Sequence, residues 1–466
     1  MSKFLLLILT LFATLLSVIY FSNNNNNSSS GDKTLSDLGV KIPNILIPKN
    51  LDTETWSTIA VDQYTQDESY WNQVYEKVGD KPSTVKLVYP EIYLNAEDRP
   101  ERIKKIHSEM KSYLENGIFG DSREEFVYLE RTTKYGRIRH GLNIAIDLEA
   151  YEWKPFSTAL IRATEATIES RLPPRMEIRK DAIIEVPHIM VLVNDPDNIL
   201  IDGVGKRVTG NKPLYEGKLM LDSGSVKGWS VNSKEDIEYI TKSLQTIARL
   251  NTQKDGSIFL LAVGDGNHSL ATAKATWENY KKEHPGITDS NLRYAMIEII
   301  NIYDTGLTFE PIHRVLFDIN SEEFVNFMKN KLGATIENLD NFEDFKSKID
   351  SSKSDFGIIY VKNEKTEFTY MKTNINELLI SQLQPAIDEF LTSVNKTSNI
   401  DYIHGADSIL TLGSKEGNTA VYLPSIDKYS FFSTISERGP LPRKAFSMGE
   451  ADEKRFYLEC RKIIDN

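Results

Sequence analysis

The turn at residues 264–268, with the sequence Gly-Asp-Gly-Asn-His, has the residue types of an anion-binding site, and His268 would lie at its edge. Its two glycines permit backbone angles that other residues resist. The six apolar residues before it, 258–263, predict a strand buried on both faces of a sheet, and the alanine-rich stretch after it predicts a helix. Because the first turn of a helix presents unpaired N–H groups and a partial positive charge, this order of elements predicts a site for phosphate or carboxylate.

The same turn also has an ordinary structural interpretation. Asp-Gly and Gly-Asn are common turn dipeptides, and either Asp265 or Asn267 could cap the following helix. Neither a Walker A loop nor a Gly-x-Gly-x-x-Gly fingerprint occurs in the chain. The sequence therefore leaves the structural and the anion-binding interpretations about equally open.

Arg162 and Glu165 are followed along the chain by Arg171 and Arg175, which lie on either side of two consecutive prolines. Guanidinium groups bind phosphate oxygens in pairs, and the carboxylate could serve as a base. A helix end with charges paired four residues apart explains the same pattern, and on this pattern alone we prefer it. Asp62 follows a predicted strand, which is where α/β proteins bind ligands, but turn formation explains its position equally well.

Two further segments could reach the same crevice. Residues 304–307 and the pair His313 and Arg314 flank the end of a predicted strand, although a single histidine is more often structural. Arg443 and Lys444 end a basic segment that two prolines stiffen in an otherwise acidic protein. This segment could close over an anionic ligand or be a solvated loop.

The composition limits the class of protein. The 466 residues are 40% apolar and 26% charged, which is ordinary for a globular chain of two or three domains, and the formal net charge of −12 argues against a nucleic-acid partner. Cys460 is the only cysteine, which excludes disulfides within the chain, zinc sites built on cysteine pairs and iron–sulfur ligation. The histidines lack zinc-site spacing and no Gly-x-Ser-x-Gly elbow occurs, so neither a zinc hydrolase nor acyl transfer is supported.

Residues 1–22 predict a signal peptide or a signal anchor, because Lys3 precedes an apolar stretch at 4–21. That stretch is longer than a usual signal core and lacks a clean cleavage site. We therefore expect a secretory-pathway protein with a lumenal or extracellular body, which is a transmembrane protein if the anchor is not cleaved. Residues 23–34 are rich in asparagine and serine and predict a disordered linker.

Acceptor triplets for N-linked glycans occur at Asn26, Asn27, Asn267 and Asn395, which fits a secreted glycoprotein. A glycan on Asn267 would block the proposed anion site. Either this turn folds too tightly to be modified, or the body never meets the glycosylation machinery. The absence of disulfides also suits a chain that evolved for the cytosol, so the conflict stays open.

The order of predicted elements indicates a mixed α/β (α+β) fold with a mixed sheet core and no internal repeat. We expect an α/β domain at 35–320 that carries the main motifs, and a C-terminal α/β region at 321–466 with the basic closing loop. The predicted strands and apolar runs are 57–61, 84–89, 126–131, 142–148, 182–194, 258–263 and 292–302, with a hairpin at 356–371 and strands near Ile409 and Ala420. The predicted helices are 101–116, 235–250, 321–331, 343–349 and 377–394.

Taken together and in order, several motifs resemble those of the largely bacterial family called domain of unknown function 1015. They are residues 62–65, 162–165, 264–269, 304–307 with 313–314, and 441–444. The resemblance runs from about Leu38 to the C-terminus. Because this family is functionally uncharacterised, the resemblance implies a family but no reaction.

A second, remote resemblance concerns the turn alone. Many members of the family carry Asp-Gly-His-His-Arg where this chain has residues 265–269, and this short motif is similar to the Gly-x-His-Arg turn of the ParB and sulfiredoxin superfamily. That superfamily includes nucleotide-binding proteins and free-serine kinases. Because this chain has Ser269 in place of the arginine, charge for a phosphate must come from elsewhere, for example from Lys274.

The resemblances and the predicted turn favour a nucleotide-dependent phosphotransferase that acts on a small polar metabolite, with ATP or ADP and Mg²⁺ as cofactors. Asp265 would bind Mg²⁺ or orient the acceptor, His268 would donate to the transferred group, and Glu165 or Asp62 would be the general base. The predicted catalytic residues are Asp265, His268, Glu165 and Asp62. The predicted anion-binding residues are Gly266, Asn267, Ser269, Arg162, Arg175, His313, Arg314, Arg443 and Lys444.

The alternative function is a non-catalytic secretory-pathway protein that binds an anionic small molecule in the same crevice. A lumenal address favours it, because nucleotide supply there is less assured. A third interpretation, suggested by Ser269, is an enzyme that has lost its activity. The first two differ in the expected effect of Asp265→Asn and His268→Ala, which would abolish turnover in an enzyme and only weaken affinity in a binding protein.

Overall fold

The computed structural model describes residues 33–397 and 399–465, and the chain from Leu35 onward forms one compact unit. Its fold is mixed α/β, as predicted, with one large mixed sheet and two antiparallel sheets. The described strands are β1 (Val40–Lys41), β2 (Asn44–Leu46), β3 (Arg123–Glu124), β4 (Phe126–Thr132), β5 (Ile138–Asp147), β6 (Tyr151–Glu152), β7 (Ile161–Ala163), β8 (Ile184–Glu185), β9 (Met190–Val193), β10 (Tyr215–Lys218), β11 (Ser225–Val231), β12 (Leu261–Asp265), β13 (Tyr294–Asn301), β14 (Phe309–Phe317), β15 (Thr335–Leu339), β16 (Phe356–Lys362), β17 (Lys365–Lys372), β18 (Ile400–His404), β19 (Asn418–Tyr422), β20 (Phe446–Met448) and β21 (Cys460–Lys462).

The described α-helices are α1 (Thr53–Trp56), α2 (Glu68–Val78), α3 (Arg99–Glu115), α4 (Leu172–Lys180), α5 (Ile201–Val208), α6 (Lys234–Leu250), α7 (Asn267–Glu283), α8 (Ser321–Leu332), α9 (Phe342–Asp350), α10 (Ile380–Ser393), α11 (Ala406–Gly413) and α12 (Lys428–Arg438). Short 3-10 helices cover Ser36–Leu38, Thr84–Lys86, Glu91–Tyr93, Leu148–Ala150, Glu169–Arg171, Met220–Asp222, Asn291–Arg293 and Ala451–Glu453.

Strand β12 lies in the interior of the large sheet, whose order is β10-β11-β4-β5-β13-β9-β12-β7-β6 with β1 on β5. It pairs antiparallel with β9 and parallel with β7, and Leu261 and Val263 are completely buried. Helix α7 packs Leu270 and Trp277 into the same core. Burial on both faces explains the unbroken apolar run, and it fixes the point at which the chain leaves the sheet and turns into α7.

The second sheet, in the order β15-β17-β16-β19-β14-β18, holds the later part of the chain, and β20 pairs with its strand β14. It contains the predicted hairpin, as β16 and β17. One apolar cluster joins Leu192 of the large sheet to Leu316 and Phe446 of the second. The predicted division of the body near residue 320 stays a prediction.

The C-terminal segment 454–463 leaves the second sheet and completes the third, antiparallel one, whose order is β3-β2-β21-β8. Strand β21 pairs with β2 and β8, and Phe456 forms an isolated bridge with Ile59. Arg455 is 2% exposed and forms ion pairs with Glu298 and Glu459, which are also buried. This segment therefore contributes to the core of a region that lies about 400 residues earlier in the sequence.

Three predicted strands are wrong. Residues 57–61 are extended only at the bridge of Ile59, residues 84–86 form a 3-10 helix, and Ile409 lies inside α11. The apolar side chains Ile59, Val85 and Ile409 are buried in all three places. Short apolar runs show that a segment is buried without fixing its backbone conformation, which here depends on what packs against it.

The predicted helices at 101–116, 235–250, 321–331, 343–349 and 377–394 are confirmed as α3, α6, α8, α9 and α10, with ends shifted by up to three residues. The expectation of a transmembrane protein is wrong for the described part of the chain, because no helix within 33–397 and 399–465 is long and apolar enough to span a bilayer. The predicted signal segment, 1–22, and the linker up to residue 32 lie outside the described residues.

Candidate functional site

A cleft of about 450 Å³ opens where β12 ends and α7 begins, a volume within the usual range for small-molecule sites. Segments from the large sheet, from the second sheet and from the C-terminal region line it. The lining residues with polar or charged side chains are Asp62, Gln63, Thr65, Glu91, Glu165, Arg171, Arg175, Asp265, Asn267, His268, Ser269, His404, Arg443, Lys444, Ser447, Glu450 and Lys454.

The start of α7 forms one wall of this cleft. Gly266 precedes the helix with φ of 82°, and no described side chain caps this end. The expectation that Asp265 or Asn267 caps the helix is therefore wrong. Asn267 is 8% exposed, and its carboxamide oxygen accepts the N–H of Thr164 at 3.2 Å. This contact ties the start of the helix to the chain after β7. The first-turn N–H groups of α7 remain available to an anion in the cleft.

The burial of Asn267 also bears on its glycosylation triplet. Its amide nitrogen lies 3.4 Å from both the Val263 carbonyl and the Thr164 hydroxyl, so the folded protein does not present it to a modifying enzyme. Asn395 is exposed and its triplet stays a prediction. Asn26 and Asn27 lie outside the described residues.

We expect Gly266→Ala to destabilise the protein by about 1–2 kcal/mol, because the left-handed backbone angles that start α7 are unfavourable for any residue with a Cβ. The new Cβ would also lie 3.0 Å from Cγ1 of Ile189. Urea unfolding measures the change, and Gly210→Ala is the matched control, since its Cβ would meet no described atom within 4 Å. Equal stability losses in the two variants would contradict this account of the turn.

Five cationic side chains face the cleft, and distinct contacts hold several of them in place. The loop that bears Arg443 and Lys444 is fixed at two points, where the N–H of Leu441 donates to the Thr164 carbonyl at 2.7 Å and Arg314 donates to the Lys444 carbonyl at 3.0 Å. The full set is Arg171, Arg175, Arg443, Lys444 and Lys454. A cleft with this lining attracts an anion even though the whole chain is acidic.

Lys454 and Asp265 form the deepest charged pair of the site. Lys454 is 6% exposed and donates to the Ser447 hydroxyl at 3.2 Å. Its Nζ lies 3.7 Å from Oδ2 of Asp265, which is too long for a hydrogen bond and leaves that buried oxygen without a donor among the described residues. Burial raises the pKa of Asp265, and the charge of Lys454 opposes this rise. A buried carboxylate oxygen in this state favours a ligand that brings a donor or a cation.

Glu165 has the environment of a proton acceptor at neutral pH. Burial raises its pKa to about 7, the negative charge of Asp265 acts in the same direction, and Lys444 and Lys454 oppose the rise. Glu91 also lines the cleft, and burial raises its pKa, but it is paired with Arg175 through a hydrogen bond of 2.9 Å. Of these two carboxyl groups, Glu165 is the one that no arginine holds.

His268 is a neutral imidazole at the edge of the cleft. Burial lowers its pKa to about 4, and the charges of Arg175 and Arg171 add to this effect. Its Nε2 accepts the N–H of Ile168 at 3.4 Å, which places its proton on Nδ1. His268 can therefore donate one hydrogen bond without carrying a positive charge.

Most of the predicted site residues meet in this cleft. All four predicted catalytic residues line it, as do six of the predicted anion-binding residues: Gly266, Asn267, Ser269, Arg175, Arg443 and Lys444. The proline pair before Arg175 lies in the first turn of α4, at the start of this helix, and Arg175 pairs with Glu91 of a distant segment. Proline suits this position because the first helical N–H groups have no partner to lose.

Three predicted residues do not line the cleft. Arg162 donates to Ala159 and Ser257 and stacks on Phe259. His313 is 1% exposed, stacks on Tyr422 and accepts the N–H of Leu423, so it is a core residue. Alternation along β14 explains why His313 points away from the cleft, since its neighbour Ile312 lines the cleft.

Arg314 is completely buried and acts from behind the site, where its guanidinium holds the Lys444 carbonyl and the side chain of Gln384. Lys454, Glu91 and Arg171 also line the cleft but were not predicted as site residues from the sequence. No local motif marks Lys454, because it reaches the cleft from the C-terminal segment.

The predicted Mg²⁺ role of Asp265 stays a prediction. Within residues 33–397 and 399–465, no group of three or more histidine, cysteine, aspartate or glutamate side chains has a metal-binding arrangement. Mg²⁺ in nucleotide sites commonly uses one or two carboxylates together with phosphate oxygens and water. Asp265 and Asp62, whose charges interact in the cleft, have the chemistry for such a site.

Comparison with known proteins gives a family without a known activity. The model of a family described as protein of unknown function (DUF1015) matches residues 46–391. No curated protein matches the chain.

Several solved structures resemble part of the chain at low similarity. A free serine kinase in complex with AMP is 10% identical, with 69% of this chain and 91% of that chain covered and a TM-score of 0.34. A conserved hypothetical protein from Pyrococcus furiosus is 10% identical over 69% and 95% of the two chains, with a TM-score of 0.31. SbnI from Staphylococcus aureus, truncated at its C-terminus, is 8% identical over 70% and 83%, with a TM-score of 0.33. These values are too low to transfer an activity to this chain.

Proposed function

Because the chain belongs to the family of proteins of unknown function DUF1015, its reaction has to be inferred from its own residues, and we propose that its cleft binds the phosphates of a nucleotide and transfers one to a hydroxyl group of a small polar molecule. The remote similarity to the ParB and sulfiredoxin superfamily stays a prediction, and the proposal does not depend on it.

The observation that carries the proposal is the combination of charges in one cleft. Five cationic side chains and the uncapped start of α7 surround a space of about 450 Å³, which suits a ligand with several negative charges. The same space contains Glu165, with a pKa of about 7. A site that only bound an anion would not need a carboxylate that becomes negative at neutral pH, whereas a general base has this property.

Each polar group then has a distinct task. The first-turn N–H groups of α7 and the side chains of Arg443 and Lys444 bind phosphate oxygens, and the neutral His268 donates a further hydrogen bond to them. Glu165 removes the proton of the acceptor hydroxyl, and Asp62 is the other carboxylate that could do so. Mg²⁺, held by Asp265, would neutralise phosphate charge when bound.

Nucleotide binding is tested by thermal unfolding of the purified body with 1 mM ATP or ADP, with and without Mg²⁺. Ligand at 100 times its dissociation constant adds about 2.7 kcal/mol of stability, which is a shift of several degrees in a chain of this size. Failure of both nucleotides to raise the unfolding temperature would contradict the proposal.

We expect Arg443→Ala to weaken nucleotide affinity about tenfold or more, because the loss of one charge-assisted contact to phosphate costs about 1.5–3 kcal/mol. Isothermal titration with ADP measures the change. Lys111→Ala is the matched control, because Lys111 is a solvent-exposed cation on α3 that does not line the cleft. Equal affinities of Arg443→Ala and the unmodified protein would show that this loop does not contact the ligand.

A further inference from the structure

Ser269, His188 and Tyr457 form a chain of hydrogen bonds beside the cleft. The Ser269 hydroxyl lies 3.1 Å from Nε2 of His188, and the Tyr457 hydroxyl lies 3.2 Å from Nδ1 of the same ring. These residues come from α7, from the loop between β8 and β9, and from the C-terminal segment. A hydroxyl, an imidazole and a third group that orients the imidazole are the parts of an activated nucleophile.

Ser269 lies where two cavities meet. It lines the cleft, and it also lines a smaller chamber of about 160 Å³ whose walls include His188 and Tyr457. Ser269 is half-buried and belongs to the first turn of α7, next to the N–H groups that we assign to phosphate. His188 is 8% exposed, so its ring is largely shielded from bulk water.

The contacts of Tyr457 allow the tautomer of His188 in which Nε2 acts as the base. The Tyr457 oxygen accepts the N–H of Val61 at 3.1 Å, and a second lone pair remains for Nδ1–H of His188. Burial raises the pKa of Tyr457, and the negative charges of Asp62, Glu91 and Asp265 add to this rise, so the hydroxyl keeps its own hydrogen. With Nδ1 protonated, Nε2 keeps its lone pair and accepts the hydrogen of Ser269.

We propose that Ser269 is the nucleophile of the transfer and carries the phosphoryl group as a covalent intermediate, an inference that rests on the proposed function. In the first step, Oγ of Ser269 forms a bond to the γ-phosphorus of ATP while the bond from that phosphorus to the β-phosphate oxygen breaks. ADP leaves, and the serine proton moves to Nε2 of His188.

In the second step, the acceptor hydroxyl attacks the phosphorus of phosphoserine and its proton moves to Glu165. The bond from phosphorus to Oγ of Ser269 breaks, and Oγ recovers its proton from Nε2 of His188. Glu165 then releases its proton to water. The enzyme returns to its starting state, and the phosphoryl group ends on the acceptor.

The covalent step can be tested without knowing the acceptor. A phosphoenzyme that forms reversibly moves label from [14C]ADP into ATP when only ATP, ADP and Mg²⁺ are present, because ADP takes the phosphoryl group back. We expect this exchange in the unmodified full chain. Mass spectrometry of the protein incubated with ATP should then find one added phosphate on the peptide that contains Ser269.

Four variants separate catalysis from folding. Ser269→Ala should lose exchange and labelling while ATP still raises its unfolding temperature. His188→Gln should slow exchange by about 10²- to 10⁴-fold, the usual contribution of a general base, with the KM for ADP unchanged. Tyr457→Phe, which removes a positioning contact, should also lower kcat and leave KM. Thr272→Val is the control, because Thr272 lines the chamber but its hydroxyl donates to the His268 carbonyl within α7.

The outcomes are distinct. Exchange that disappears in Ser269→Ala and persists in Thr272→Val supports the covalent step, and this pair decides the matter even if His188→Gln fails to fold. Stabilisation by ATP without exchange in the unmodified chain overturns the covalent step and leaves direct transfer in place. A phosphate on another residue, or exchange that survives in Ser269→Ala, also overturns it. If ATP neither stabilises the protein nor supports exchange, the proposed function itself is overturned.

Discussion

Replacing Glu165 with glutamine is expected to lower the turnover of ATP by about 10²- to 10⁴-fold, because glutamine keeps the shape and polarity of the side chain but cannot accept a proton. Hydrolysis of ATP, in which water takes the place of the unknown acceptor, provides the measurement. Affinity for ADP should not fall, since the substitution removes a negative charge from an anion site. If Asp62→Asn loses turnover to this extent and Glu165→Gln does not, the proton transfer belongs to Asp62.

The same residue sets the expected pH dependence. Burial raises the pKa of Glu165 to about 7, so the carboxylate form that can accept a proton increases as the pH rises through 7. Turnover should rise over this range, whereas ADP affinity should decline because a negative charge appears beside Lys444 and Lys454. The raised pKa also means that folding favours the protonated form, so this group's contribution to stability falls between about pH 4.5 and 7 and is constant above.

A control separates these effects from general perturbation. Glu169 lies four residues further along the chain, is exposed and does not line the cleft. Glu169→Gln should keep turnover, affinity and pH profile unchanged. If the pH profile of Glu165→Gln still rises through 7, another group controls it.

Replacing Arg455 with methionine is expected to destabilise the protein by about 3–5 kcal/mol. The guanidinium pairs with Glu298 and with Glu459, the latter at 2.7 Å, and also donates to the Pro187 carbonyl at 3.2 Å. All three charged side chains are at most 2% exposed. The substitution therefore leaves the buried Glu459 carboxylate without its arginine and leaves Glu298 with the more distant Arg139, at 3.7 Å. Urea unfolding at neutral pH measures the cost.

Two comparisons test this explanation. Adding Glu298→Gln and Glu459→Gln to the Arg455 variant should recover part of the lost stability, because the uncompensated charges are then removed. Lys346→Ala breaks an exposed pair with Asp350 at 2.6 Å and should cost less than about 1 kcal/mol. A loss of that size in Arg455→Met would mean that the buried network contributes no more than a surface pair.

The sequence predicted the centre of the site because all the necessary information is local there. A buried strand, a turn with two glycines and a helix follow one another within residues 261–283, and Gly266 adopts the backbone angles for which glycine is suited. Glu165 and Arg443 were also predicted, from short motifs, and the structure brings both residues beside the turn.

Contacts between distant segments determine the positions of the site residues that could not be predicted from the sequence. Lys454 and Tyr457 reach the site only because the C-terminal segment runs back to the first part of the fold, where β21 pairs with β2. No local pattern in the sequence indicates this return. His313 has a neighbour, Ile312, that lines the cleft, but its own side chain lies on the opposite face of β14. Which face of a strand meets a ligand depends on the packing of sheets, and periodicity alone does not give it.

The return of residues 454–462 to the first part of the fold has a consequence for biosynthesis. Lys454, Tyr457 and the pairing strand β21 are made after nearly every other residue of the cleft, so the ribosome releases them when the rest of the body has already emerged. Ligand cannot assist folding of the growing polypeptide before that moment. Nascent chains that stop before residue 454 should therefore be more sensitive to protease, and added nucleotide should not protect them.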